Sequence, residues 1–444
     1  MPTGSNFLVE FGGKKILIDC GLVQGEKYSI PTNREPFSYD TKSIDALLVT
    51  HAHLDHVGRI PRLVREGFKS TIISTEPTRE MAELIMLDSL GVLGKEAANE
   101  GTERLYEESD VFQAVHLWTT IVQYEKPFTF KTNDGDATFI FHDAGHILGS
   151  AMIEIVYKNK HLVFSGDLGN TPSPLMRDTT ALKGIDYLIM ESVYGDRNHK
   201  DKDKRIEIFK EAVTSTIAKG GTIIIPAFSV ERTQEMLQAF NELVEGKQIP
   251  AVPVYLDSPL GINVTKVYKK YDSWFNENTE KIIKSGDDIF AFKGLVQTAS
   301  PEDSKLINGD VRPKVIIAGS GMSNGGRIIH HEARYLPDPN STIIIVGYQA
   351  VNTLGRQIVD NAKEVVIHGQ PVQVRARVVN IHGFSAHKDM DHLVEFVSST
   401  ATTLKKVIVV MGEPKSAYFL GQRIHETYQL PVLVPEKGEV VELE

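Results

Sequence analysis

Short aliphatic and β-branched runs separated by turns open the chain. They predict strands at Asn6–Glu10, Lys15–Ile18, Ala46–Thr50 and Thr71–Ile73. Across residues 75–118 the apolar positions Met81, Leu84, Ile85 and Leu87 recur every three to four residues, which predicts helix. Strands return at Thr138–His142, Met152–Tyr157 and His161–Ser165. Leu188–Met190 is apolar throughout, the mark of a strand covered on both faces. After Gly195 the run Asp196–Arg205 is densely charged and reads as a solvated linker leading into a helix. Beyond it strands and helices alternate. Thr222–Pro226 precedes a helix at Glu231–Val244, Lys314–Ala318 precedes a helix at Arg327–Leu336, and Thr342–Gly347 follows. That alternation predicts a parallel α/β sheet. The last stretch returns as strand Val374–Val379, a histidine-containing loop, helix Met390–Ser398 and strand Lys406–Val410. The pattern is that of one α/β domain interrupted by another, with pieces at 1–195 and 376–444 around an insertion at 196–375.

Composition narrows the class. Hydrophobic residues make up 41% of the 444, enough for a substantial core, and there is no repeat or low-complexity tract. No apolar run approaches the ~18 residues that span a bilayer. The opening Met1–Ser5 lacks the basic and apolar regions of a secretion signal, and the single cysteine, Cys20, cannot form an internal disulfide. The expectation is a cytoplasmic protein with no membrane partner. A net charge of −10, from 48 basic and 58 acidic residues, excludes a global basic field for nucleic acid. Nucleic-acid binding would need positive charge gathered locally.

The histidines are clustered. Residues 50–56 read Thr-His-Ala-His-Leu-Asp-His after the strand that ends near Thr50. Open α/β sheets place ligands at the carboxyl ends of strands. His51 and His53, two apart, point to one side of an extended segment, and Asp55 and His56 can serve a second position beyond the turn. Imidazole with carboxylate suits zinc, and manganese or iron less closely. Two further loops carry single candidates of the same kind: His146 in Asp143–Ser150 and Asp167 in Ser165–Gly169, each beside glycines that let the chain turn tightly.

In this order the motifs resemble the metallo-β-lactamase fold, and specifically its β-CASP branch of nucleic-acid hydrolases. The likeness extends over nearly the whole chain, through Glu191–Arg197, Pro226–Arg232, Gly319–Met322 and Gly383–His387. It implies an αββα sandwich with an inserted parallel α/β β-CASP domain and an active site in the cleft between them. It implies that His51, His53 and His146 bind one zinc, that Asp55 and His56 bind a second, and that Asp167 bridges the two. Two such metals can activate a water as hydroxide and clamp the oxygens of a phosphodiester, so no serine or cysteine nucleophile is needed. His387 is then the candidate proton donor to the leaving oxygen. Glu191 would orient it or a metal-bound histidine. Asp55, His387 and Glu191 form the expected catalytic set. The expected activity is zinc-dependent hydrolysis of single-stranded RNA, with a homodimer implied by the relatives.

One position departs from the family pattern. RNA-processing members carry a late His-Gly-Glu whose histidine completes the second metal site. Here the segment is Val409-Val410-Met411-Gly412-Glu413-Pro414. A thioether is a soft ligand ill suited to zinc among carboxylates, so the second ion is expected to bind more weakly. Met411 keeps two alternatives open: a DNA nuclease, since DNA-processing relatives are apolar here, and a catalytically weakened RNA-binding subunit. The N-terminus is short beside relatives that carry a strand before Thr3-Gly4-Ser5.

Gly319–Arg327 follows a strand and opens a helix, a place where backbone amides favour phosphate. Ser320, Gly321, Gly325, Gly326 and Arg327, with Arg232, are the candidate RNA contacts. A nucleotide-binding P-loop is excluded, because Arg327 and Ile328 stand where lysine and serine or threonine are required. His330 and His331 read as structural. No aromatic platform for bases is legible in the sequence.

Overall fold

The computed structural model describes residues 3–24, 29–200, 202–350 and 352–444. They form two compact units. The first is Met1–Asn198 with Ala386–Glu444, and the second is His199–Ser385.

The first unit holds two sheets. One contains β1 (Phe7–Phe11), β2 (Lys14–Ile18), β3 (Ala46–Leu48), β4 (Thr71–Thr75) and β5 (Thr120–Val122), in that order. β1 and β2 are an antiparallel hairpin, and the remaining pairs are parallel. The other sheet runs β20-β19-β10-β9-β8-β7-β6. It comprises β6 (Phe128–Thr132), β7 (Gly135–Asp143), β8 (Ala151–Tyr157), β9 (Lys160–Phe164), β10 (Tyr187–Met190), β19 (Lys406–Val409) and β20 (Val432–Leu433). Strand periodicity assigns side chains to two cores. Ile153 and Ile155 of β8 meet Ile16, Ile18, Leu48 and Ile73 between the sheets. Met152, on the opposite face of β8, packs with Leu188, Val407, Leu393 and Ile424 beneath the helices Met390–Ser398 and Pro414–Tyr428. The helices Ile60–Arg65, Glu76–Glu100 and Glu108–Leu117 pack together beside β4 of the first sheet. The result is an αββα sandwich, as the family resemblance implies.

The second unit is built on a six-stranded sheet in the order β13-β12-β14-β11-β15-β18. Its strands are β11 (Thr222–Pro226), β12 (Val254–Asp257), β13 (Leu295–Gln297), β14 (Lys314–Ala318), β15 (Thr342–Ile345) and β18 (Arg377–Asn380), all paired in parallel. β16 (Glu364–Ile367) and β17 (Gln370–Gln373) form a separate hairpin. The central strands are buried from end to end, which is why they are uninterrupted isoleucine and valine runs.

Three differences from the sequence pattern have local causes. The helix expected over 75–118 is two, because Gly101 adopts φ 65° as a left-handed C-cap and Glu107 with Asp110 forms a capping box for the next helix. The sequence pattern does not show β5, β6, β12, β13, β16, β17 and β20. The strand expected at Val374–Val379 is β18, at Arg377–Asn380, and it pairs with β15 in the second unit rather than returning to the first. No helix among the described residues is long and apolar enough to cross a membrane.

Candidate metal centre

The metal motif begins just past β3. Thr50 anchors its start: its amide and hydroxyl both donate to Asp19, which follows β2. The chain then enters the short helix Leu54–Val57, which carries Asp55 and His56. Gly21 allows the close approach that fixes this helix, since a Cβ there would lie 1.6 Å from the Asp55 carbonyl oxygen. Loops following β7 and β9 bring in His146 and Asp167. Their proximity depends on Gly169, where a Cβ would fall 1.8 Å from the Gly145 carbonyl oxygen.

Four donor atoms converge: those of His51, His53, His146 and Asp167 lie within 4.8 Å of one another. His53 Nδ1 is 3.1 Å from His51 Nε2 and 3.2 Å from His146 Nε2, and Asp167 Oδ2 is 3.5 Å from His51 Nε2. Burial first, then mutual repulsion among the imidazoles, holds His53 and His146 well below the ordinary histidine range. They are therefore neutral, with lone pairs to give. His56 Nε2 lies 3.4 Å from Asp167 Oδ1 and 4.0 Å from Asp55 Oδ2. Among the described residues this buried nitrogen has no hydrogen-bond partner. A buried orphan beside two carboxylates is what a cation would satisfy. The donor set thus fits divalent metal.

Asp19 is the residue that sequence reasoning missed. It is buried, and its Oδ2 lies 2.7 Å from His56 Nδ1, which fixes the ring so that Nε2 faces Asp167. The signal was present: an acid ends the apolar strand Lys14–Ile18 just before Gly21.

A second group adjoins the first. Asp167, Glu191 and His387 also lie within 4.8 Å of one another. His387 Nδ1 is 3.2 Å from Glu191 Oε1 and 4.0 Å from Asp167 Oδ2. Glu191 is held in place by the Leu168 amide, 2.6 Å away. Burial opposes charge on His387, but Glu191 and then Asp167 outweigh it and raise the imidazole to about 9. Met411 lines a small cavity with His56, Asp19, Thr50 and Glu191.

The second unit revises the expected phosphate contacts. Arg232 is buried, and its Nη1 is paired with Glu235. A guanidinium reads the same in sequence whether it faces solvent or a buried acid. Arg327 donates to Asp257 Oδ1 at 2.7 Å, to the Thr298 carbonyl at 2.8 Å and to the Ala299 carbonyl at 2.9 Å, so its fork is committed to the protein. The loop itself remains open: nothing occupies the space where a side chain at Gly325 would lie. Ser320 Oγ accepts from the Asn324 amide, and Gly321 is buried against Phe228. His331 is structural, with Nε2 2.7 Å from Asp257 Oδ2, and His330 pairs with His368.

An αββα sandwich carrying a histidine–carboxylate centre at strand ends, with a parallel α/β insertion, defines a metallo-hydrolase. Comparison with known families agrees. Residues 3–204 match the metallo-β-lactamase superfamily, 233–358 the β-CASP domain, and 371–435 a domain described as the RNA specificity domain of zinc-dependent metallo-hydrolases. The chain is 35% identical to ribonuclease TTHA0252 of Thermus thermophilus, over 95% of this chain and 93% of that protein. It is 32% identical to an RNase J-like protein of Methanocaldococcus jannaschii, over 98% and 95% of the two chains. It is 31% identical to the transcription termination factor FttA of Methanosarcina mazei, over 99% of this chain and 69% of that one. A crystal structure of a protein of unknown function from Enterococcus faecalis shares the fold, with a TM-score of 0.55 at 12% identity over 99% of this chain and 96% of that one. The chain belongs to the metallo-β-lactamase superfamily, in its β-CASP ribonuclease branch. It is a metal-dependent phosphodiesterase.

Proposed function

We propose that the protein is a zinc-dependent ribonuclease that hydrolyses phosphodiester bonds of single-stranded RNA in the cytoplasm. The convergence of His51, His53, His146 and Asp167 from three separate loops carries the reading. The ribonuclease and RNase J-like names of its relatives support RNA as the substrate.

His51, His53 and His146 would hold one ion, Asp55 and His56 a second, with Asp167 shared. When bound, such a pair supplies Lewis acidity and lowers the pKa of water. The chain's own residues do the rest. Asp19 keeps the His56 ring turned toward Asp167. Glu191 and Asp167 keep His387 protonated near neutral pH, so it can donate a proton to the departing oxygen. The Leu168 amide holds Glu191, so the donor's orientation is set before substrate arrives. In the second unit, the open space at Gly325, just before the helix Ile328–Tyr335, is where a phosphate would approach the backbone.

The test is cleavage of one end-labelled single-stranded RNA by zinc-loaded protein, beside Asp55→Ala prepared identically. Products from the parent alone are expected. Equal behaviour of the two proteins, with zinc confirmed bound, would remove the ribonuclease reading. Met411 favours one competitor, a DNA nuclease, and a matched DNA oligomer in the same assay decides between them.

A further inference from the structure

Phe228 lies two residues past β11, the strand between β14 and β15. It is 39% exposed, whereas Phe209, Phe240, Phe275, Phe290, Phe292 and Phe384 of the same unit are all buried. An aromatic ring left in water at the carboxyl end of a central parallel strand lies where such sheets bind ligands.

Glycines flank it on both sides. On one side β14 runs into Gly319-Ser320-Gly321, and on the other β15 runs into Val346 and Gly347. A Cβ on Gly321 would fall 2.6 to 2.9 Å from Cδ2, Cγ and Cε2 of Phe228, so the ring lies directly on the Gly321 backbone. A Cβ on Gly347 would lie 3.8 Å from Cε2. The backbone that carries the ring is also firmly placed. The Phe228 carbonyl accepts from Thr233 Oγ1 at 2.7 Å and from the Thr233 amide at 3.1 Å, while the Ala227 amide donates to the Ala318 carbonyl at 3.0 Å. A core residue would be covered, and a mobile surface residue would not be seated on glycine. A flat ring seated on glycine backbone and 39% exposed is a surface for another flat ring.

We propose that Phe228 is the stacking platform for one base of the single-stranded RNA, a deeper reading of the ribonuclease function on which it rests. Unpaired bases have a free face to offer, which paired and stacked bases of a duplex lack. Stacking on an aromatic is tolerant of base identity, so the contact grips any sequence. The open space at Gly325 on the adjoining loop leaves room for the backbone that carries the base.

The experiment compares two RNA oligomers, one intact and one with consecutive abasic positions, on the parent, Phe228→Leu and Phe228→Tyr. Leucine retains apolar bulk and removes the π-face, and tyrosine retains both. Stacking predicts that Phe228→Leu raises KM for intact RNA roughly tenfold, leaves KM for abasic RNA near the parent's, and that Phe228→Tyr stays close to the parent on both. Equal loss on both RNAs in Phe228→Leu, or no loss on either, overturns the proposal. A parent that neither cleaves nor binds intact RNA overturns the ribonuclease reading instead, and that result is read before any variant is compared.

Discussion

Asp19 has no place in the expected ligand set, yet its 2.7 Å contact decides which way His56 faces. Replacing it with alanine frees the ring and leaves Ser5 and Thr50 hydroxyls without their acceptor. Loss of such an outer partner typically costs 10- to 100-fold in metal affinity, so about that weakening of one of two ions is expected in Asp19→Ala, read by metal titration against a chromogenic chelator. Unchanged affinity for both ions would show that Asp19 only packs. Glu191 governs a second observable. Under the proposed mechanism His387 is the acid, so activity should fall as pH rises through its pKa. Glu191 raises that pKa, and Glu191→Gln lowers it. The alkaline limb of kcat should therefore move to lower pH in the variant, and a limb that stays in place would assign the proton to another group. At this scale the centre was legible because three histidines and an aspartate fall inside six residues, a density that packing does not require. Asp19 was not, because it stands alone in the sequence and joins the site only when β2 and β3 pair. Nor does the sequence show that Arg232 pairs with Glu235, one helical turn away.

Between residues and domains, one carboxylate ties several elements of the second unit together. Asp257 ends β12 and accepts from Thr298 Oγ1 at 2.8 Å, Ser304 Oγ at 2.6 Å, Arg327 at 2.7 Å and His331 at 2.7 Å. Burial would raise its pKa, but these donors outweigh it and hold the carboxyl down to about 2. A depressed folded-state pKa stabilises above the unfolded value of ~3.9, and that stability is lost as pH falls through about 2. Asp257→Asn should flatten the acid limb of the unfolding profile over that window. Asp257→Ala takes this acceptor from the half-buried Arg327 and the buried His331 and should destabilise by about 1–3 kcal/mol, measurable by urea titration with a probe in this unit. A loss under ~1 kcal/mol would mean that Arg327 and His331 find other acceptors or water. The elements that reveal themselves in sequence share one property. β11 and β14 are buried on both faces and needed continuous aliphatic runs, so their limits match the expected Thr222–Pro226 and Lys314–Ala318. β13, by contrast, is a three-residue edge strand with Val296 and Gln297 exposed, and no periodicity can show in so short a run. β18 was placed in the wrong unit because pairing partners are a tertiary choice that a single strand's pattern does not encode.

The metal donors and the base platform fall in different units of the chain. Every expected metal ligand, with Asp19, Glu191 and His387, lies in Met1–Asn198 or Ala386–Glu444, whereas Phe228, the glycine-rich loop and Asp257 lie in His199–Ser385. Each unit also has its own apolar core, so the two can respond separately to a ligand. A metal that binds the folded first unit and not its unfolded form adds, at a hundredfold excess over Kd, about 2.7 kcal/mol to that unit alone. Hydrogen exchange followed by mass spectrometry, with saturating zinc and then with chelator, separates the contributions. Removing metal should speed exchange at 49–57, 143–150 and 165–170, where the donor loops sit, and should leave the amides of β11, β14 and β15 unaltered. The same chelated protein should lose RNA cleavage and recover it on adding zinc. Equal loss of protection in both units would show that the second unit depends on the metal centre for its stability, despite a complete core of its own. Protection unchanged in both would show that the histidine–carboxylate cluster is held by the scaffold alone, with Gly21 and Gly169 rather than the ion setting its geometry.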